Sequence, residues 1–225
     1  MNPADLPALR AIMESIAKKG YVFIDSYRPE VGIAAVAHEF GRPMTPWSGG
    51  LVQDLVPRAG STPNTYSGIY GLGRFPLHTD LAHWRAPPRY LLLRCVKGYA
   101  DVPTMLLDGE AIFKDLPANM LSRAIFKPRR PRNGSIPLLR LYEPKEEGYC
   151  LRWDEEFIEP ASKIGAVAEA GFKAQLGKLP PKPIALARAG DMLLIDNWRV
   201  LHARSPIPAD RADRKIQRIY LGELH

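Results

Sequence analysis

The apolar residues of this chain come in short, strand-length runs separated by turns of uneven length: YVFID, PPRYLLLRCV, VPTMLLDG, LLRLYE, YCLRWD, DMLLIDN and KIQRIYLGE. That pattern suits an antiparallel sandwich or jelly-roll barrel and disfavours a doubly wound parallel sheet. No GxGxxG or GxxxxGK[ST] is present, which removes the main sequence support for a nucleotide-phosphate fold. Helices gather near the start and in insertions. Leu6, Leu9, Ile12, Met13 and Ile16 recur at helical spacing, with Gly20 as a stop. A second helix is expected from near Pro29 through Val31, Ala35 and Phe40 to Gly41. Further helices are expected over residues 117–126 and 162–176, while residues 45–73 read as loop. LLRLYE and YCLRWD look like a hairpin around KEEG. With 225 residues, 46% of them hydrophobic, the chain is expected to form one domain over residues 1–225. Residues 1–45 supply a helix–strand–helix unit packed on the barrel.

The two cysteines, Cys95 and Cys150, do not suggest a disulfide framework, so a reducing cytoplasmic setting is expected. No signal peptide and no apolar stretch of about 18 residues is visible, so no membrane partner is expected. The formal net charge is +7, and its densest cluster is KPRRPR, residues 127–132. The prolines there forbid a regular basic helix, so the run reads first as a solvated loop and second as an anion-binding patch.

The stretch FPLHTDLAHW holds two of the five histidines, with a carboxylate between them. In an extended segment His78 and Asp80 project to the same side and can share one metal. A third donor must come from elsewhere. His202 is the best candidate, because it follows GDMLLIDNWRVLHARSP and arrives where that apolar strand ends; His38 lies in an amphipathic helix and His225 is the last residue. Two imidazoles and a carboxylate on one face leave the opposite positions open, which suits a non-haem Fe(II) that also binds a cosubstrate and O2. A 2-oxoglutarate cosubstrate needs an arginine for its distal carboxylate. If residues 214–220 form a strand, Arg214, Ile216 and Arg218 share a face, and one of the arginines reaches the same pocket.

HTD, Thr104 in VPTMLLDG, and GDMLLIDNWRVLHARSP followed by RKIQR resemble the taurine-dioxygenase (TauD/TfdA) group of Fe(II)/2-oxoglutarate dioxygenases. The matching blocks cover residues 64–109 and 188–223, in the family's order. The resemblance implies a mainly β fold with flanking helices, a double-stranded β-helix of the jelly-roll or cupin-like kind. It implies His78, Asp80 and His202 as iron ligands and catalytic centre. It also implies Thr104 and Arg214 on the 2-oxoglutarate carboxylate, with Arg218 on that group or on substrate. The implied reaction hydroxylates an unactivated C–H bond of a small, anionic or amino-acid-like molecule, consuming 2-oxoglutarate and O2 and releasing succinate and CO2. Desaturation and epimerisation use the same ligands, whereas Asp80 argues against a halogenase.

Asn64, Tyr66, Ser67 and Tyr70 precede the metal motif, where members of that group contact substrate; turn formation and aromatic packing explain them nearly as well. His83 and Trp84 read as pocket rim. Arg152 either faces the pocket or pairs with a nearby acid, and Asn197 and Arg204 flank the distal ligand and are placed to steady it. Two rival readings use the same residues. A zinc hydrolase would employ the His/Asp/His set to activate water but leaves Arg214, Arg218 and Thr104 without a task. A non-catalytic jelly-roll binding protein would turn the basic surface to nucleic acid, but no aromatic base-stacking platform is evident.

Overall fold

The computed structural model describes residues 6–46, 48–58 and 63–225, with the side chains of residues 6–8 left aside. Its frame is antiparallel. The larger sheet has the strand order β1 (Tyr21–Ile24), β12 (Met192–Asp196), β4 (Tyr90–Lys97), β14 (Lys215–Leu224) and β2 (Gly41–Met44), with β3 (Gln53–Leu55) also paired to β14. A second sheet runs β11 (Lys182–Ile184), β5 (Thr104–Asp108) and β13 (Val200–Arg204). A third comprises β10 (Ile158–Pro160), β6 (Ile125–Pro128) and β7 (Leu139–Arg140), beside a hairpin of β8 (Tyr142–Pro144) and β9 (Tyr149–Leu151).

Side-chain alternation along β4 explains the layering. Leu91, Leu93 and Cys95 face inward and pack with Leu193, Ile195, Ile216 and Tyr220 against Leu106 and Val200 of the second sheet. Tyr90 and Leu92 point the other way, with Met192, Leu194, Ile219 and Leu221, and are covered by two helices. These are α1 (Leu6–Lys19), through Leu9, Ile12 and Ile16, and α2 (Ile33–Phe40), through Ile33, Val36, Ala37 and Phe40. The outer face of the second sheet, Leu107 and Leu201, packs with Leu121 of α4 (Ala118–Arg123) and with Ala168 and Phe172 of α5 (Lys163–Lys178). A mainly β architecture with flanking helices is thus borne out.

Several boundaries move for physical reasons. Gly20 ends α1 as expected, adopting φ 74 where a Cβ would meet Val200. The second helix begins at Ile33 instead of near Pro29, because Arg28 is left-handed (φ 42) and Val31 N–H closes a turn onto its carbonyl. The region expected to be loop contains the edge strand β3 and the short helix α3 (Tyr66–Tyr70), capped by the Thr65 hydroxyl accepting from Gly68 N–H. Of the residues expected in a helix over 117–126, only Ala118–Arg123 are helical, and Ile125 opens β6. In the expected hairpin, Leu139–Arg140 pair with β6 and only Tyr142–Pro144 pair with β9. His202 does not terminate β12: that strand stops at Asp196, the chain turns, and the histidine sits at the middle of β13.

Candidate active site

His78 and His202 face one another across an antiparallel bridge between otherwise separate segments. Each donates its main-chain N–H to the other's carbonyl, at 3.0 and 2.9 Å, so the two imidazoles leave the backbone side by side. Both Nε2 atoms stand 3.5 Å from Asp80 Oδ1. All three residues are buried, and their donor atoms lie within 4.8 Å of one another.

The surroundings fix the orientation of His78 and Asp80. His78 Nδ1 donates to the Pro76 carbonyl at 2.8 Å, which leaves the Nε2 lone pair directed at the centre. Asp80 is held at both ends. Its main-chain N–H donates to Asn197 Oδ1 at 2.7 Å and its carbonyl accepts from Asn197 Nδ2 at 3.0 Å. Its Oδ2 accepts from Arg218 Nη1 at 3.0 Å and from the Tyr220 hydroxyl at 2.9 Å. Oδ1 is therefore the atom presented to the imidazoles. Burial disfavours the charge on Asp80, but Arg218 and the two histidines outweigh it and hold the carboxyl well below its ordinary range. Burial also works against a charge on His78, but Asp80 prevails and the net shift is upward; at His202 burial, reinforced by His78, pushes the value down.

The donor set fits a divalent transition metal. At 3.5 Å the nitrogens and the carboxylate oxygen are too far apart for good hydrogen bonds, yet they converge on a common point. A facial His/Asp/His set leaves the remaining positions open to other ligands.

That open side faces a cavity of about 1160 Å³, with walls that include Thr104, Leu91, Leu93, Ile216, Arg214 and Arg218. The two arginines differ. Arg218 is engaged, by Asp80 and by Gln53 Oε1 at 2.8 and 2.7 Å. Arg214 is buried, its Nε has no hydrogen-bond partner among the described residues, and desolvation lowers its pKa. A buried guanidinium without a carboxylate is costly, and an anionic ligand entering the cavity would relieve it. Thr104 is buried on β5, in register with Arg204.

Of the residues considered for substrate contact, Asn64, Tyr66, Ser67 and Trp84 line the cavity. Tyr66 stacks on His78 with ring centroids 4.2 Å apart. Tyr70 and Arg152 are not among the residues that line the cavity. The Tyr70 hydroxyl donates to Glu156. Arg152 is buried and clamps the motif loop, donating to the carbonyls of Trp84 (2.5 Å) and Arg85 (2.9 Å) and to Glu143 (2.7 Å). His83 sits at the rim, where its Nε2 accepts from the Trp84 indole N–H at 3.0 Å. Arg204 braces the loop before the motif, donating to the carbonyls of Gly71 (2.6 Å) and Gly73 (2.7 Å).

Sequence reading missed Tyr220, Gln53 and Asp154. Tyr220 lies two residues beyond Arg218 on one strand face, a spacing that points to it once Arg218 is placed. Asp154 lines the cavity and accepts from the N–H groups of Glu156 (2.9 Å) and Phe157 (3.0 Å); burial pushes its carboxyl up to about 6. No signal in the sequence marks Gln53 or Asp154.

No family model matches the chain. Clavaminate synthase 2 of Streptomyces clavuligerus is 26% identical over an alignment of 205 positions that covers 79% of this chain and 59% of that protein. The chain thus spans about three fifths of the length of that curated relative. Among solved structures, an asparagine oxygenase in complex with Fe(II), 2S,3S-3-hydroxyasparagine and succinate superposes with a TM-score of 0.73 at 19% identity, covering 97% of this chain and 79% of that one. The non-heme iron oxygenase OrfP with Fe and alpha-ketoglutaric acid gives 0.71 at 19% identity (98% and 80%). PvcB, an Fe, alpha-ketoglutarate dependent oxygenase from an isonitrile synthetic pathway, gives 0.67 at 19% (95% and 79%). The chain has the fold of the iron- and 2-oxoglutarate-dependent oxygenases, in agreement with the resemblance carried by its HTD and RKIQR blocks.

Proposed function

We propose that this protein is an Fe(II)- and 2-oxoglutarate-dependent oxygenase that hydroxylates an unactivated C–H bond of a small, amino-acid-like molecule. In this reading the stacked sheets are the two halves of a double-stranded β-helix, and residues 1–225 act as one catalytic domain. The observation that carries it is the coincidence, in one cavity, of a buried His/Asp/His set and a buried arginine that has no acidic partner among the described residues. A zinc hydrolase or a metal-free binding protein leaves Arg214 unexplained.

His78, Asp80 and His202 would hold the iron, and Arg214 with Thr104 would receive the distal carboxylate of 2-oxoglutarate. Arg218 and Tyr220 would keep Asp80 Oδ1 turned to the metal, and the engagement of Arg218 by Asp80 supports Arg214 as the partner of the cosubstrate. Bound together, iron, 2-oxoglutarate and O2 supply the oxidant for the C–H bond, with succinate and CO2 released. The protein's own share is to orient the ligands, keep bulk water from the site and position the substrate. Relatives in complex with hydroxyasparagine or, in the case of OrfP, with (3S)-hydroxy-L-Arg support an amino-acid-like substrate. The presence of both Asp154 and several guanidinium groups in the cavity wall supports it independently. Two buried free cysteines suit a reducing, cytoplasmic setting, and among the described residues no helix is long and apolar enough to cross a membrane.

The test is anaerobic addition of Fe(II) and 2-oxoglutarate, followed by O2. The expected outcome is a visible charge-transfer band and then succinate. Absence of the band, together with metal binding that survives His78→Ala, would sink the reading. Arg214→Ala is expected to weaken 2-oxoglutarate roughly 10- to 100-fold, as removal of a charge-assisted hydrogen-bonding partner predicts.

A further inference from the structure

The KPRRPR run, first read as a solvated loop, ends at the cavity. After β6 the chain reaches a tight turn in which Arg132 N–H donates to Ser135 O at 2.9 Å and Ser135 N–H donates to Arg132 O at 3.0 Å. Asn133 (φ 49) and Gly134 (φ 72) are both left-handed, the geometry of a two-residue hairpin turn favoured by Asn-Gly. This turn carries Arg132 onto Trp84, with the guanidinium carbon 3.3 Å from the ring centre. Trp84 is itself fixed, by its indole bond to His83, by its N–H donating to Leu81 O at 2.9 Å and by the Arg152 clamp on its carbonyl.

Arg130 and Arg132 both line the cavity. The ion pairs of this loop are made by its other cations, Lys127 and Arg129, with Glu159 at 3.3 and 2.8 Å. Among the described residues, neither Arg130 nor Arg132 has such a pair. A guanidinium held over an indole through its carbon makes no hydrogen bond by that contact, so its N–H groups are left for a carboxylate or phosphate, which they can meet through two parallel hydrogen bonds. Asp154, Glu155 and Glu156 line the same cavity and suit an ammonium group. The space of about 1160 Å³ exceeds what 2-oxoglutarate alone requires.

We propose that Arg130 and Arg132, the latter braced on Trp84, form an anion-receiving mouth that selects substrates carrying a carboxylate or phosphate remote from the carbon to be oxidised. This deepens the oxygenase reading and rests on it for the word substrate, but the binding it requires does not depend on iron.

The test is calorimetric titration of the metal-free protein with matched probes, L-glutamate against L-glutamine and O-phospho-L-serine against L-serine. The acidic member of at least one pair should bind about tenfold tighter or more, in line with a charge-assisted contact. That preference should collapse in Arg130→Ala/Arg132→Ala, with near-UV circular dichroism reporting that the variant is folded. Two results overturn the proposal: no preference in either pair, or a preference that survives the double substitution and disappears in Arg214→Ala, which would put the anion in the cosubstrate site. The Fe(II)/2-oxoglutarate band, recorded on the wild-type protein beside its probe preference, separates the two ideas. A band without acidic preference overturns the mouth alone, and preference without a band overturns the oxygenase alone.

Discussion

The floor and the mouth of the cavity are built on opposite principles. At the floor, the candidate ligands are tied in by several bonds: His78 and His202 by reciprocal main-chain bonds, Asp80 by Asn197, Arg218 and Tyr220. At the mouth, Arg132 rests on a two-residue turn and one aromatic face, and Arg130 on neither. Redundancy suits a centre whose donor atoms must stay within tenths of an ångström of a productive arrangement. Sparse support suits a surface that adapts to what enters. The difference teaches that, in the proposed reading, reaction type and substrate choice are carried by separable parts of this chain.

Four substitutions test that separation, from the largest expected effect to the smallest. His202→Ala removes a donor and should abolish Fe(II) binding over the range that wild type binds, a loss beyond the roughly 100-fold seen for supporting residues, as read by anaerobic equilibrium dialysis. Asp154→Asn should change stability with pH in the metal-free protein. A carboxyl raised from 3.8 to about 6 in the fold favours the native state below pH 3.8, and that benefit is lost as pH rises through 6. The variant lacks this loss, so it should gain on wild type between pH 4 and 7 by up to about 3 kcal/mol, measured as urea midpoints across that window. Tyr220→Phe deletes one bond to Asp80 Oδ2 and should weaken Fe(II) about tenfold while melting with the wild type. Gly134→Ala meets open space but strains the left-handed turn, at a cost of roughly 1 kcal/mol. It should leave the Fe(II)/2-oxoglutarate band unchanged; a band that shifts would show that mouth and floor are coupled.

The floor was largely legible in the sequence and the mouth was not, for the same physical reason. His78 and Asp80 announce themselves because a two-residue spacing in an extended segment is a local property. Arg214 and Arg218 follow from the same alternation along β14. What escaped was pairing between distant segments. The turn at residues 197–199 separates two apolar strands that read as one approach to His202, and it depends on Asp196 Oδ1 accepting from Trp198 N–H as much as on propensity. β3 spans three residues and owes its extended form to the neighbouring β14, a tertiary effect no local pattern records. The prolines of KPRRPR correctly exclude a helix, but nothing in that run points to Trp84, more than forty residues earlier in the chain.

The bridge between His78 and His202 also bears on how the protein comes to be. Those residues lie 124 positions apart (202 − 78), on segments that meet in this bridge. Contacts of such long range close late, because the entropy of a large loop must be overcome first. The three donor atoms converge only when both segments stand in their native register. A metal that recognises the finished triad binds the native chain alone, and each ion bound draws the population away from partly folded forms. Iron loading would then act on this protein as a quality check as well as an activation step, withholding the cofactor from any copy whose two sheets have not closed.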